Sequence, residues 1–165
     1  MENPSSTRET ISQFEKLLAS MARAGIDFAV VGGVAVILNG YPRQTRDADI
    51  IVHPAVANVE RLLKYLAAWG EGWARELTLE DFHALDEGSL RVMEEFDLDI
   101  FVKMRGRTLD DFRPRLRYLQ SNDVRIPILS PEDLIHCKAG SWRDKDKLDV
   151  LAMQEVLRRE REEQQ

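Results

Sequence analysis

Val31-Gly32-Gly33-Val34-Ala35-Val36-Ile37-Leu38-Asn39-Gly40-Tyr41-Pro42-Arg43-Gln44-Thr45-Arg46-Asp47-Ala48-Asp49 is the stretch on which the reading of this sequence turns. The apolar run Phe28 to Val31 enters it as a buried strand and breaks at Gly32-Gly33 into a tight turn. Val34 to Asn39 then predicts a short helix closed by Gly40, and Asp49 to Val52 a second strand ended by Pro54. A strand, Gly-Gly and helix in succession leave backbone N–H groups uncovered, a place for phosphate oxygens. Asp47 and Asp49 stand two apart, so both carboxylates project from one face of the strand. At about 4 Å such a pair repels by about 4 kcal/mol for an effective dielectric of about 20, so a cation is needed to join them. Hard oxygen ligands point to Mg²⁺, with Mn²⁺ a substitute. Arg43 and Arg46 are close in sequence, available to phosphate or to the acids. The plainer alternative is a pair of exposed loop acids, or acids neutralised by those arginines.

A second segment has the same design. Phe96-Asp97-Leu98-Asp99-Ile100-Phe101-Val102 places acids alternately with apolar residues at the head of a strand. Phosphoryl transfer with two metal ions calls for a third carboxylate facing the first two, to bind metal and to attract the proton of the attacking hydroxyl. Asp99, directly before the apolar run, is assigned that role, with Asp97 on the same face as the fallback.

Outward from these segments, the chain reads as alternating helices and strands. Ser6 to Glu9 has capping-box spacing ahead of a helix carrying Ile11, Phe14, Leu17, Leu18 and Met21, stopped by Gly25. Val56 to Trp69 is an amphipathic helix. Thr78 to Asp81 caps a short one, with Phe82 and Leu85 inward. Leu90–Glu94 and Leu98–Val102 read as strands, Asp123–Leu129 as a weaker one. Ser130-Pro131-Glu132-Asp133 starts a helix with Ser at the N-cap and Pro in the first turn. The remainder to about Arg161 is helical, with a solvated, charged tail. This order predicts an α+β fold: one mixed sheet flanked by helices, in a single domain over residues 1–165, with a catalytic core at about 26–103 and a helical part at about 130–161.

Composition narrows the function. With 44% hydrophobic and 32% charged residues the chain is globular rather than disordered. Its longest apolar stretch, Phe28–Leu38, is interrupted by glycines and too short for a bilayer, which needs about 20 residues. The N-terminus lacks the basic start and apolar core of a signal peptide. A single cysteine, Cys137, fits a reducing cytoplasm and reads as a small core residue. A net charge of −6 argues against a general DNA-binding protein, though a local basic patch could hold RNA. His53, His83 and His136 are too dispersed for zinc, and only His53 follows the Asp49 strand toward a pocket. Trp69, Trp73 and Trp142 read as packing residues.

Gly32-Gly33 followed by Ala35, Gly40, Arg43, Thr45, Asp47 and Asp49 resembles the signature of the polymerase β-like nucleotidyltransferase superfamily. Gly-Gly in place of Gly-Ser, with Arg-x-Thr-x-Asp-x-Asp, is similar to two of its groups. One is the AbiEii-type and minimal nucleotidyltransferases of toxin–antitoxin systems; the other is the aminoglycoside and lincosamide nucleotidyltransferases. The stretch Leu134-Ile135-x-x-Lys138…Arg143-x-Lys145-Asp146-x-x-Asp149 is similar to the first group. The resemblance implies a polymerase β-like fold and Mg²⁺-dependent transfer of an NMP group from an NTP, ATP among them, with release of pyrophosphate. It implies metal binding by Asp47, Asp49 and Asp99, and nucleotide contacts from Gly32, Gly33, Arg43, Thr45, Lys138 and Lys145. The hydroxyl of the missing Ser must be replaced by backbone N–H groups and other side chains. The acceptor implied is a partner protein or tRNA end in a toxin–antitoxin-like system, with a helical partner. A small antibiotic is the alternative, and a non-catalytic antitoxin-like binding module the rival of another class.

Overall fold

The computed structural model describes residues 4–165, with side chains described from Ser12 onward. The Ser6–Glu9 capping box therefore lies outside the described side chains. The first helix, α1, spans Pro4–Arg23. Strand β1 (Phe28–Val31) is followed without a loop by α2 (Gly32–Leu38), then by β2 (Asp47–Val52) and α3 (Val56–Ala67). A 3₁₀ turn at Trp73–Glu76 leads to α4 (Leu79–Ala84). The hairpin of β3 (Leu90–Met93) and β4 (Asp97–Phe101) follows. A short α5 (Leu109–Phe112) precedes β5 (Arg117–Ser121) and β6 (Val124–Ile128), and the chain closes with α6 (Pro131–Lys138) and α7 (Asp144–Glu163).

The strands form one six-stranded sheet in the order β3-β4-β2-β1-β6-β5. It is mixed: β2 runs parallel to β4 and β1 parallel to β6, while the other neighbours are antiparallel. The fold is thus the expected α+β arrangement of a mixed sheet flanked by helices. Central β1 is buried along its whole length, which is why Phe28-Ala29-Val30-Val31 is uniformly apolar. In β2 the pattern changes to alternation: Ala48 and Ile50 are buried, while Asp47 and Asp49 lie on the opposite face, partly open. Helix α1 packs against β6, α2 against β1 and β2, and α6 and α7 against one another and α2.

Local chemistry accounts for most boundaries. Thr78 accepts from the Asp81 backbone N–H while Asp81 accepts from that of Thr78, the reciprocal cap expected there. Ser130 accepts from the Asp133 N–H and Pro131 occupies the first turn of α6. Two elements depart from the sequence reading. The weak strand at 123–129 is half of a β5–β6 hairpin, turned at Asn122 in a left-handed conformation with φ of 51°. The C-terminal helical stretch is broken at residues 139–143 into α6 and α7. That break has a functional consequence, because it lets α7 fold back over α2.

Of the tryptophans, only Trp69 is a packing residue, its ring 5.4 Å from that of Phe96. Trp73 is 58% exposed and Trp142 86% exposed, which corrects their assignment to the core. Among the described residues, no helix is long and apolar enough to cross a membrane.

Candidate active site

The parallel pairing of β2 with β4 brings the two acidic segments together in register: Asp47 stands beside Asp97, and Asp49 beside Asp99. Since Ala48, Leu98, Ile50 and Ile100 are all buried beneath the sheet, the intervening acids are all forced onto the opposite face. Asp99 is the sheltered member of the second pair, with 10% of its side chain exposed against 32% for Asp97. Asp47, Asp49 and Asp99 line a cavity of about 370 Å³ together with Gly32, Gly33, Arg43, Lys138 and Lys145. Asp97 is not part of that lining.

The glycines are explained by close approach. A Cβ on Gly32 would fall 2.1 Å from Asp49 Oδ2, and the residue's φ of +64° is one that only glycine adopts readily. The Asp49 carboxylate thus packs where another residue would have a side chain. A Cβ on Gly33 would sit 2.5 Å from Arg43 Nη2 and 3.0 Å from Thr45 Oγ1. Arg43 fills the space that a Ser side chain would need, which gives the Gly-Gly variant a physical reason.

The cations form one wall. Asp149 of α7 lies between Arg43 and Lys138: Arg43 Nη2 donates to Asp149 Oδ2 at 3.1 Å, and Lys138 Nζ is ion-paired with the same carboxylate. Lys138 also donates to Asp146 Oδ1 at 3.2 Å, and Asp146 accepts from Ser141 Oγ at 2.8 Å. Lys138 is accordingly 13% exposed, not the solvated helix cation that it resembles in sequence. Thr45 is not part of the cavity lining; its hydroxyl donates to the Asp47 carbonyl at 3.1 Å. Lys145 reaches the cavity from the exposed side of α7. Arg46 is exposed, and the alternating Arg143–Lys147 segment contributes Arg143, Lys145 and Asp146 to the cavity wall. His53 is held away at the other end of β2, 3.1 Å from Asp110. Cys137 is a wall residue as well as a partial core residue; burial pushes its thiol up to about 12.

The carboxylate wall has its own resident cation, which the sequence does not announce. Arg91 of β3 faces Asp99 across the strand pair and grips it with two hydrogen bonds, of 2.8 and 2.9 Å. It also donates to Asp97 at 3.2 Å and lies 3.6 Å from Asp47. Among the described residues Asp49 has no ion-pair partner of its own. Burial first, then the charges of Asp99 and Asp47, push its carboxyl up to about 7, with Lys138 pulling the other way. Hard anionic oxygens crowded to that degree suit Mg²⁺ or Mn²⁺. Among the described residues no three acidic, histidine or cysteine side chains are gathered closely enough to grip one ion as they stand. Both oxygens of Asp99 are turned to Arg91. Asp47, Asp49 and Asp99 offer hard oxygen donors of the type such an ion takes, and Arg91 is the positive charge that the structure places beside them.

The cavity thus has carboxylates on one wall and cations on the other, beside the Gly-Gly turn. Solved structures place the fold among nucleotidyltransferases. The chain is similar to an antigenic nucleotidyltransferase-like protein from Paracoccidioides brasiliensis, with 18% identity, 89% of this chain and 76% of that one covered, and a TM-score of 0.55. It is similar to the lincosamide antibiotic adenylyltransferase LnuA with lincomycin bound, at 16% identity, 88% and 96% coverage and a TM-score of 0.56. A candidate nucleotidyltransferase from Thermotoga maritima aligns at 15% identity, 92% and 94% coverage and a TM-score of 0.53. No curated protein matches the sequence. Residues 9–159 match the profile of the family described as nucleotidyltransferase of unknown function (DUF6036), and the chain belongs to that family.

Proposed function

We propose that this nucleotidyltransferase moves a nucleoside monophosphate from an NTP to an acceptor hydroxyl, with Asp47, Asp49 and Asp99 holding Mg²⁺. The observation that carries this reading is the in-register pairing of Asp49 with Asp99 opposite the Arg43–Lys138 wall of one cavity. A divalent ion bound there would supply charge neutralisation at the reacting phosphate. Gly32 and Gly33 line the cavity and let Asp49 and Arg43 close against the backbone, while Arg43, Lys138 and Lys145 offer donors to the triphosphate oxygens. Asp99 takes the proton as the acceptor oxygen bonds to the α-phosphorus, and the bond from that phosphorus to the bridging oxygen breaks, releasing pyrophosphate. Positioning and charge account for most catalysis of this kind. Asp97, more exposed and outside the cavity lining, stands behind Asp99 as the alternative third carboxylate.

The acceptor we favour is a partner protein or tRNA end in an AbiEii-like toxin–antitoxin setting. What supports it is that Leu134, Lys138, Arg143, Lys145 and Asp146 of the motif line the cavity, with Asp149 ion-paired to Lys138 behind them. A second reading, a small hydroxylated drug, draws on the lincosamide adenylyltransferase: the alignment extends over 96% of that enzyme, so a chain of this size needs no added drug-binding domain. Pyrophosphate release with each NTP and Mg²⁺, first with a candidate partner protein or tRNA and then with lincosamides, separates the two. Absence of nucleotide-dependent stabilisation with every NTP would instead indicate a binding module without transferase chemistry.

A further inference from the structure

The carboxylate wall carries more negative charge than its surroundings offset, yet one guanidinium is already seated on it. Arg91 makes a bidentate pair with Asp99, a single bond to Asp97 and a longer contact to Asp47. Two of these acids are the ones assigned to metal. Arg91 stands on β3, the edge strand of the sheet, and 47% of its side chain is exposed. It also lines a second open groove of about 610 Å³ beside Trp73, Leu77 and Met93, outside the catalytic cavity. A side chain at a sheet edge, half in water and bordered by open space, has room to leave its partners.

We propose that Arg91 is a built-in competitor for the divalent cation: it holds Asp47 and Asp99 in the metal-free protein and swings into the Trp73–Met93 groove when the ion binds. The inference rests on the metal-binding reading above and deepens it. Geometry carries it. A fork-shaped guanidinium bonded to both oxygens of Asp99 takes one lone pair of each and sets its positive charge where a cation would approach, so the two compete for the same carboxylate. The groove gives the displaced side chain a destination that needs no backbone movement, and Asp49, which Arg91 does not reach, remains available as the first point of attachment. Arg91 is thus a positioning residue: it keeps the carboxylates from springing apart when no ion is present, and it lowers their apparent affinity for the ion. Bare acids would bind metal more tightly but would repel one another in its absence.

The test is Mn²⁺ binding to the full chain without nucleotide, followed through the electron-paramagnetic resonance signal of free Mn²⁺, for wild type, Arg91→Gln, Arg91→Lys and Asp49→Asn. Arg91→Gln should bind about tenfold more tightly, in the range usual for coupled sites. Arg91→Lys should fall between, since lysine has the charge without the fork. In the metal-free state Arg91→Gln should melt below wild type, and saturating Mn²⁺ should raise its Tm by more than it raises that of wild type. Equal or weaker Mn²⁺ binding by Arg91→Gln, with Asp49→Asn losing it, would overturn the competitor role and leave the metal site standing. Failure of wild type and Arg91→Gln alike to bind, or binding unaffected by Asp49→Asn, would overturn the metal reading and the competitor role with it.

Discussion

Two clusters of charge face each other across the cavity, and they are built on opposite terms. On the helical side, Arg43 and Lys138 meet Asp146 and Asp149, a balanced set in which Asp149 is nearly wholly buried. On the sheet side, Asp47, Asp97 and Asp99 share the guanidinium of Arg91, and Asp49 has no ion pair among the described residues. Balance is what a structural cross-link requires, because a buried charge left unpaired is strongly destabilising. Imbalance is what a cation site requires, because the missing charge must come from outside the cluster. The first cluster ties together residues more than a hundred positions apart in sequence; the second is set by the register of neighbouring strands.

The contrast can be broken most sharply at Asp49. Asp49→Asn should lower nucleotidyl transfer by at least about a thousandfold, about 4 kcal/mol of transition-state stabilisation. Its melting temperature should hold or rise, since a crowded charge has been removed. A parallel loss of fold and activity would erase the distinction between the clusters. The converse substitution is Asp149→Asn, which takes the carboxylate from Arg43 and leaves Lys138 only Asp146. Urea unfolding should show a loss of about 3 kcal/mol. Metal should act on only one side. Saturating Mg²⁺ with NTP, at about 100 times the dissociation constant, should stabilise wild type by about 2.7 kcal/mol. Thermal melts should show that gain vanish in Asp49→Asn and be regained when EDTA-treated wild type is resupplied with Mg²⁺.

Smaller effects sharpen the picture. Gly33→Ser should destabilise by about 1 kcal/mol by crowding Arg43, and the penalty should shrink in an Arg43→Ala background, a coupling that a double-mutant cycle in denaturant reads directly. Finally, Cys137 adjoins Lys138 yet keeps a thiol pushed up to about 12, because burial outweighs the neighbouring cations. Alkylation by iodoacetamide at pH 8 should be much slower in native than in unfolded protein, and should quicken only as pH climbs toward that value. Fast native alkylation would mean that the charge of Lys138 is less fully taken up by Asp146 and Asp149 than the geometry indicates.

The sheet side of the site was largely legible in the sequence. Asp-x-Asp before an apolar run fixes both carboxylates on one face, whatever the rest of the chain does, and the Gly-Gly break marks the adjoining turn. What could not be read was contact across strands and helices. Arg91 looks like any polar residue in Leu90-Arg91-Val92-Met93, because its meaning comes from lying opposite Asp99. Lys138 looks like a solvated helix cation until α7 folds back to bring Asp149 against it. The exposed Trp142 and Trp73 were misread because the hydrophobicity of a side chain states a preference and not a location. The β5–β6 hairpin was half missed because Arg117-Tyr118-Leu119-Gln120-Ser121 lies at the sheet edge and alternates only weakly.

The pairing of Asp47 with Asp97 and of Asp49 with Asp99 has a bearing on how the chain polices its own assembly. Strand side chains alternate, so a slip of one residue in either strand would drive two of these acids toward the core and lift Ala48 and Ile50, or Leu98 and Ile100, into water. Each carboxylate buried that way without a partner is penalised by several kcal/mol. The acids of β2 and β4 therefore also fix the register of the central sheet, because a slipped pairing is penalised on both faces at once.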